Sequence, residues 1–206
     1  AALVVFDLAT GAERRRVRLA DGLGGDIAVA PDGAVFAADS KGRLLVLQPG
    51  DSTPRVLGAD ALLRSPQGIV VRPDGRELLV ADYAHGLLRV DLATGGVSVV
   101  PGPADATLLG IDGLVQLPDG RVAAMQNGIA PPRVLGLTLD EAGRAVTRVE
   151  VLDRHLPHAT EPTLGAVGAG RLVYVANSPW ANYDDAGAPR AGAAWPRPLL
   201  LAVPLR

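Results

Sequence analysis

Apolar residues in this chain gather in short runs such as Gly68-Ile69-Val70-Val71 and Leu78-Leu79-Val80-Ala81, each closed by Gly, Pro, Asp or Asn. No segment keeps a 3.6-residue apolar period for three turns before Gly or Pro interrupts it, so the pattern predicts short strands and not helices. The polar punctuation repeats. Asp7-Leu8-Ala9-Thr10-Gly11 returns letter for letter as Asp91-Leu92-Ala93-Thr94-Gly95, 84 residues on. Pro31-Asp32-Gly33 returns after 42 residues as Pro73-Asp74-Gly75, and after a further 45 as Pro118-Asp119-Gly120. Each Pro-Asp-Gly lies between two apolar runs and has the chemistry of a hairpin turn.

A unit of four short strands recurring every 40 to 45 residues or so has the period of a β-propeller blade. The expected fold is therefore all-β, a single β-propeller domain over residues 1–206 built from four-stranded antiparallel blades. Residues 1–20 supply the last two strands of one blade, and full blades follow at about 24–58, 66–101 and 111–153. The last unit, 161–206, is irregular: Gly168-Ala169-Gly170 replaces its first turn and a long insertion separates its second and third strands. That makes about four and a half blades. A β-sandwich would not need strands that resemble one another every 42 residues.

Composition narrows the core and the partners. Hydrophobic residues make up 48% of the chain and aromatics 3%, so the core is expected to be aliphatic. The 25 Gly and 17 Pro are scattered, as frequent tight turns require. A net charge of −2 offers no basic surface for nucleic acid or an anionic membrane. Arg14-Arg15-Arg16 with Arg18 lacks interleaved aromatics and reads as a solvated strand face. The absence of Cys excludes disulfides, a thiol nucleophile and cysteine-ligated zinc. The apolar stretch Leu199–Val203 is too short to span a bilayer, and no signal-peptide pattern stands near Ala1. Because the chain opens directly in strand-like sequence, residues upstream of Ala1 are expected to have been removed. Neither a Gly-rich phosphate loop nor a Gly-x-Ser-x-Gly elbow is present, which leaves nucleotide binding and serine-hydrolase chemistry without support.

Antiparallel strands place the turns between first and second strands, and between third and fourth, on one face of the blades. The Pro-Asp-Gly and Asp-Leu-Ala-Thr-Gly turns fall there and are explained as turn formers. The opposite face collects Gln67 and Asp112, each just before a first strand, with Glu161 at nearly the same place in the last unit. It also collects Asp39, Asp82, Asn127 and Asn177 from the ends of second strands. The first strand is innermost in a propeller, so Gln67, Asp112 and Glu161 are expected to converge at a central channel. Oxygen ligands suit a divalent cation, Ca²⁺ first and Zn²⁺ or Mn²⁺ less selectively, that would polarise an ester or lactone carbonyl.

Four segments carry a resemblance: Gly110-Ile111-Asp112-Gly113-Leu114, Gln126-Asn127-Gly128, Glu161-Pro162-Thr163-Leu164-Gly165 and Tyr174-Val175-Ala176-Asn177-Ser178. They are similar to the SMP-30/gluconolactonase/LRE-like propellers, relatives of strictosidine synthase and of NHL-like repeats. The resemblance implies a six-bladed disc, hence sequence before Ala1, a divalent cation in the channel, and a periplasmic or secreted location. It implies that Asp112 is a metal ligand. Gln67 stands where the family places a ligand Asn, and the family's ligand Glu belongs to a first blade that this chain lacks.

The expected function is a metal-dependent hydrolase of lactones or esters, with Asp112 as ligand or base and Gln67 and Glu161 near the cation. Asn127 and Asn177 would orient substrate, His85 would contact it or act as a base, and Trp180 and Tyr183 in the insertion would form a wall or lid. Simpler readings stand beside these. Asp39 and Asp82 suit Asx turns, His85 an exposed turn, and His155 and His158 loop dressing beside Pro157. The rival function is a non-catalytic propeller that binds a small ligand or a protein on the same face. Open strand edges would also favour self-association.

Overall fold

The computed structural model describes residues 1–19, 24–39, 41–154, 156–184 and 186–205. Strands dominate it, and one 3-10 turn of three residues, Trp180–Asn182, interrupts them. Among the described residues no helix is long and apolar enough to cross a membrane. The chain falls into two compact units, Ala1–Pro101 and Gly102–Arg206.

The first unit opens with a two-stranded sheet of β1 (Ala2–Phe6) and β2 (Glu13–Arg18). A four-stranded antiparallel meander follows, of β3 (Gly24–Val29), β4 (Val35–Asp39), β5 (Leu44–Leu47) and β6 (Arg55–Gly58). A second has β7 (Pro66–Val71), β8 (Glu77–Asp82), β9 (Gly86–Asp91) and β10 (Val97–Val99). In the second unit β11 (Ile111–Gln116), β12 (Val122–Gln126), β13 (Arg133–Leu139) and β14 (Val146–Arg154) form another. Three strands, β15 (Gly165–Gly168), β16 (Arg171–Val175) and β17 (Leu200–Pro204), end the chain. The repeated meander is the blade of a β-propeller, as the turn spacing predicts.

The turns repeat atom by atom. Asp32, Asp74 and Asp119 each accept, through Oδ1, the N–H two residues on, at 3.0 Å. The glycine that follows each has φ of 87°, 68° and 87°, a region closed to most side chains. Asp7 and Asp91 each gather two backbone N–H groups and a threonine hydroxyl on Oδ1. Packing is aliphatic, as the composition predicts. In the first unit Leu44, Leu78, Val80, Leu88 and Val90 form a fully buried cluster, and each such side chain contributes about 1.5–3 kcal/mol by leaving water. In the second, Met125 and Leu172 pack with Tyr174, whose hydroxyl donates to Asp153 at 2.8 Å.

Candidate functional site

Strand β11 is irregular at its leading end. Ile111 pairs with Gln126 and Gly113 with Met125, so Asp112 is the extra residue of a bulge. The same register shift opens β3 and β7. Bulges bend a strand and re-aim a side chain, and here they set the residue at the second strand position apart from the ladder. Asp112 and Gln67 therefore lie inside their strands, at the second position, and not just before them.

The neighbouring segment comes very close. A Cβ on Gly113 would lie 2.1 Å from the carbonyl oxygen of Thr163, so only glycine fits. That approach brings Glu161, two residues before Thr163, into electrostatic contact with Asp112. Backbone bonds fix Glu161: its N–H donates to the Ala176 carbonyl and its carbonyl accepts from Ser178 N–H, both at 3.1 Å. Asn127 donates through Nδ2 to Asp112 Oδ2 at 2.8 Å.

Both carboxyls are half-buried, and neither is ion-paired with a Lys, Arg or His among the described residues. Burial pushes Asp112 above its ordinary pKa, and the Asn127 hydrogen bond offsets part of the rise. Burial does the same to Glu161; the Trp180 N–H opposes it and the charge of Asp112 adds to it. Two carboxylates that repel each other, without an internal cation, can share a proton or hold an external cation.

The other expected residues are placed as follows. Gln67, in the first unit, donates to Ser65 Oγ at 3.1 Å. His85, also in the first unit, sets Nδ1 2.9 Å from the Leu62 carbonyl oxygen and 3.3 Å from Asp82 Oδ1. Asp82 is fully buried and accepts backbone N–H groups from Ser65, Ala84 and His85, while Asp39 accepts those of Lys41 and Arg43. Both perform the turn role expected of them. Asn177 turns to its own chain, donating to the Arg197 carbonyl and accepting from Leu199 N–H at 2.7 Å. Trp180 and Tyr183 belong to an aromatic trio with Trp195. His158 is exposed, and His155 lies outside the described residues.

One residue escaped the sequence reading. Gln126, not Asn127, is the structural counterpart of Asp39 and Asp82, since it pairs with the first residue of β11 as they pair with the first residues of β3 and β7. It is fully buried, donates to the carbonyls of Thr107 and Leu109, and accepts from Arg133 Nε. The ladder assigns that position to Gln126, and Asn127, one residue beyond it, reaches Asp112. Counting from the Pro-Asp-Gly turn does not expose the offset, because Asp39 lies six residues after Gly33 and Asp82 seven after Gly75, and Gln126 and Asn127 lie six and seven after Gly120. Among the described residues no three His, Cys, Asp or Glu side chains cluster as a metal site would. The second unit brings Asp112, Glu161 and Asn127 together as a set of oxygen-bearing groups.

The fold places the chain among the β-propeller proteins. No protein-family profile matches it, and no curated protein does. Within that class it is similar to a chain of a nidogen–laminin complex, at 20% identity over 88% of this chain and 65% of that one, with a TM-score of 0.65. It is similar to virginiamycin B lyase from Staphylococcus aureus, at 12% identity over 84% and 55%, with a TM-score of 0.61. A protein named for a proposed gluconolactonase activity matches at 15% identity over 78% and 58%, with a TM-score of 0.62. The chain thus spans between 55% and 65% of the length of these structures. Proteins with names this different share the fold, so the likeness defines the architecture and leaves the chemistry to the site.

Proposed function

We propose that the Asp112–Glu161 pair is the centre of a divalent-cation-dependent hydrolase that opens lactone or ester bonds. The observation that carries this reading is the pair itself: two half-buried carboxyls in electrostatic contact, with no cationic side chain beside them among the described residues. All the donors are oxygens, which fits Ca²⁺ better than Zn²⁺ or Mn²⁺. Two carboxylates fall short of a full protein shell, and a hard cation tolerates water and amide oxygen in the remaining positions. When bound, the cation would polarise the substrate carbonyl. Asn127 holds Asp112 in one orientation through Oδ2. Asp112 Oδ1 accepts no hydrogen bond among the described residues and is the atom assigned to take a proton from the attacking water. Burial raises the pKa of Asp112 above the ordinary carboxylate value, the direction that strengthens a carboxylate as a base. The gluconolactonase-named neighbour supports the reaction class.

The test is isothermal titration with Ca²⁺, alongside hydrolysis of a panel of lactones and esters by the wild type, Asp112→Asn and Glu161→Gln. Removing a general base typically lowers kcat by about 10²–10⁴-fold, and both variants should also lose Ca²⁺ binding. Hydrolysis that survives Asp112→Asn at full rate sinks the mechanism. Absence of both cation binding and hydrolysis would favour a non-catalytic binding module, a reading to which the nidogen–laminin neighbour lends support. Besides the small-molecule substrate, the partner proposed is a second copy of the chain, joined through the outer edge of β17.

A further inference from the structure

The chain contains two Trp, three Tyr and two Phe, and the insertion between β16 and β17 holds both tryptophans and one tyrosine. The three rings form one cluster. The Trp180 and Tyr183 centroids lie 6.2 Å apart at 54°, and those of Tyr183 and Trp195 lie 5.3 Å apart at 70°. A cluster formed only to stabilise the loop would be expected to bury its indoles, yet Trp180 is 63% exposed and Trp195 51%. The cluster is also tied to the candidate site through the backbone, because Ser178, two residues before Trp180, donates its N–H to the Glu161 carbonyl at 3.1 Å.

The polar groups of the insertion are turned inward. Asn182 Nδ2 donates to the Ala194 carbonyl at 2.5 Å, and Arg190 Nε donates to the Tyr183 carbonyl at 2.8 Å. Asp184 Oδ1 accepts the N–H groups of Ala186 and Ala188. These bonds tie side chains of the insertion to its own backbone, and the two indoles stay exposed beside them. A sugar stacked on an indole needs hydrogen-bonding side chains around its rim, and the side chains placed to supply them already bond to the loop backbone. A flat apolar ring needs only the indole faces.

We infer that the Trp180–Tyr183–Trp195 cluster is a specificity element that binds a flat aromatic ring, so that the substrates are aryl-bearing esters or lactones. The substrate class rests on the hydrolase reading of Asp112 and Glu161; the ring-binding platform does not.

Both tryptophans lie in the platform, so intrinsic fluorescence reports on it directly. The probes are phenylacetamide and cyclohexylacetamide, uncleaved amides of similar size with a flat and a puckered ring. Phenylacetamide should give a saturable fluorescence change and bind about three- to tenfold more tightly than cyclohexylacetamide, the range that ring stacking supplies. Trp180→Leu should abolish that preference and Trp180→Phe should largely keep it. Equal binding of the two rings, or no saturable change, overturns the inference, and the wild-type comparison decides even if the Leu variant fails to fold. In parallel, kcat/KM for ethyl phenylacetate and ethyl cyclohexylacetate, which share one leaving group and differ only in the ring, separates the two proposals. Hydrolysis without aryl preference leaves the hydrolase standing and removes the platform. Selective binding of phenylacetamide without hydrolysis of any ester keeps the platform and removes the hydrolase.

Discussion

At Gly113 the chain has no room for a side chain, and that single constraint places the candidate site. Its would-be Cβ meets both the Thr163 carbonyl, at 2.1 Å, and the Met125 methyl, at 2.7 Å. The methionine could swing away, but the carbonyl belongs to backbone held by Thr163 N–H bonding to the Val175 carbonyl. Gly113→Ala is therefore expected to destabilise the protein by about 3 kcal/mol or more, read as a shift in the urea midpoint. Any cation binding should weaken as well, because the displaced segment carries Glu161. A Gly113→Ala protein as stable as wild type would show that the two segments are not pressed together. Asp112, next in the chain, would then lose the physical reason for its proximity to Glu161.

Among the elements, β17 is the last strand of its sheet, as β6, β10 and β14 are of theirs. It pairs with β16 along one edge, and no described strand pairs with the other. Leu200 is 63% exposed and Ala202 is also exposed, so the edge carries apolar side chains and no charge until the chain's last residue. Such an edge is a template for another strand. Purified protein is expected to associate as its concentration rises, as read by sedimentation velocity. Ala202→Lys should suppress this, since a lysine on an edge strand must be desolvated when a second strand docks. Association unchanged by Ala202→Lys would move the contact elsewhere. Strand β11 likewise has one partner, β12, and its ladder is interrupted only by the bulge at Asp112.

For the chain as a whole, the blade repeat could be read from the sequence because each turn is a local event. Pro-Asp-Gly and Asp-Leu-Ala-Thr-Gly close on their own backbone, so letters and structure correspond directly. Asp112 and Glu161 were read in a similarly local way, from their places at the leading ends of first strands. The bulges were not, since they depend on pairing between strands, and the resulting offset gave Asn127 the ladder position that belongs to Gln126. Nor could letters show that Asn177 would turn to Leu199, because that bond closes a 22-residue separation across an insertion.

The carboxyl pair also governs how stability should respond to pH. Asp112 and Glu161 are raised above 3.8 and 4.5, so the folded state holds these protons more tightly than the unfolded chain does. Their contribution to stability is therefore greatest in acid. It falls as pH rises from 3.8 through the raised folded values, and is flat above them. Asp7, Asp91 and Asp119 are lowered and run the other way, being most favourable once ionised. The net profile of the wild type mixes the two, so the informative quantity is a difference between variants. Replacing Asp112 and Glu161 together by Asn and Gln removes the raised pair alone. At about pH 7 the double variant should have the higher Tm, and the gap should close as pH is lowered toward 3.8. Adding Ca²⁺ at about pH 7 should raise the Tm of the wild type only, by about 2.7 kcal/mol of stability at a hundredfold excess over Kd. A wild type that matches the double variant at every pH would mean that burial does not penalise these carboxylates in the folded protein. A wild type indifferent to Ca²⁺ would leave that penalty without the ligand proposed to offset it.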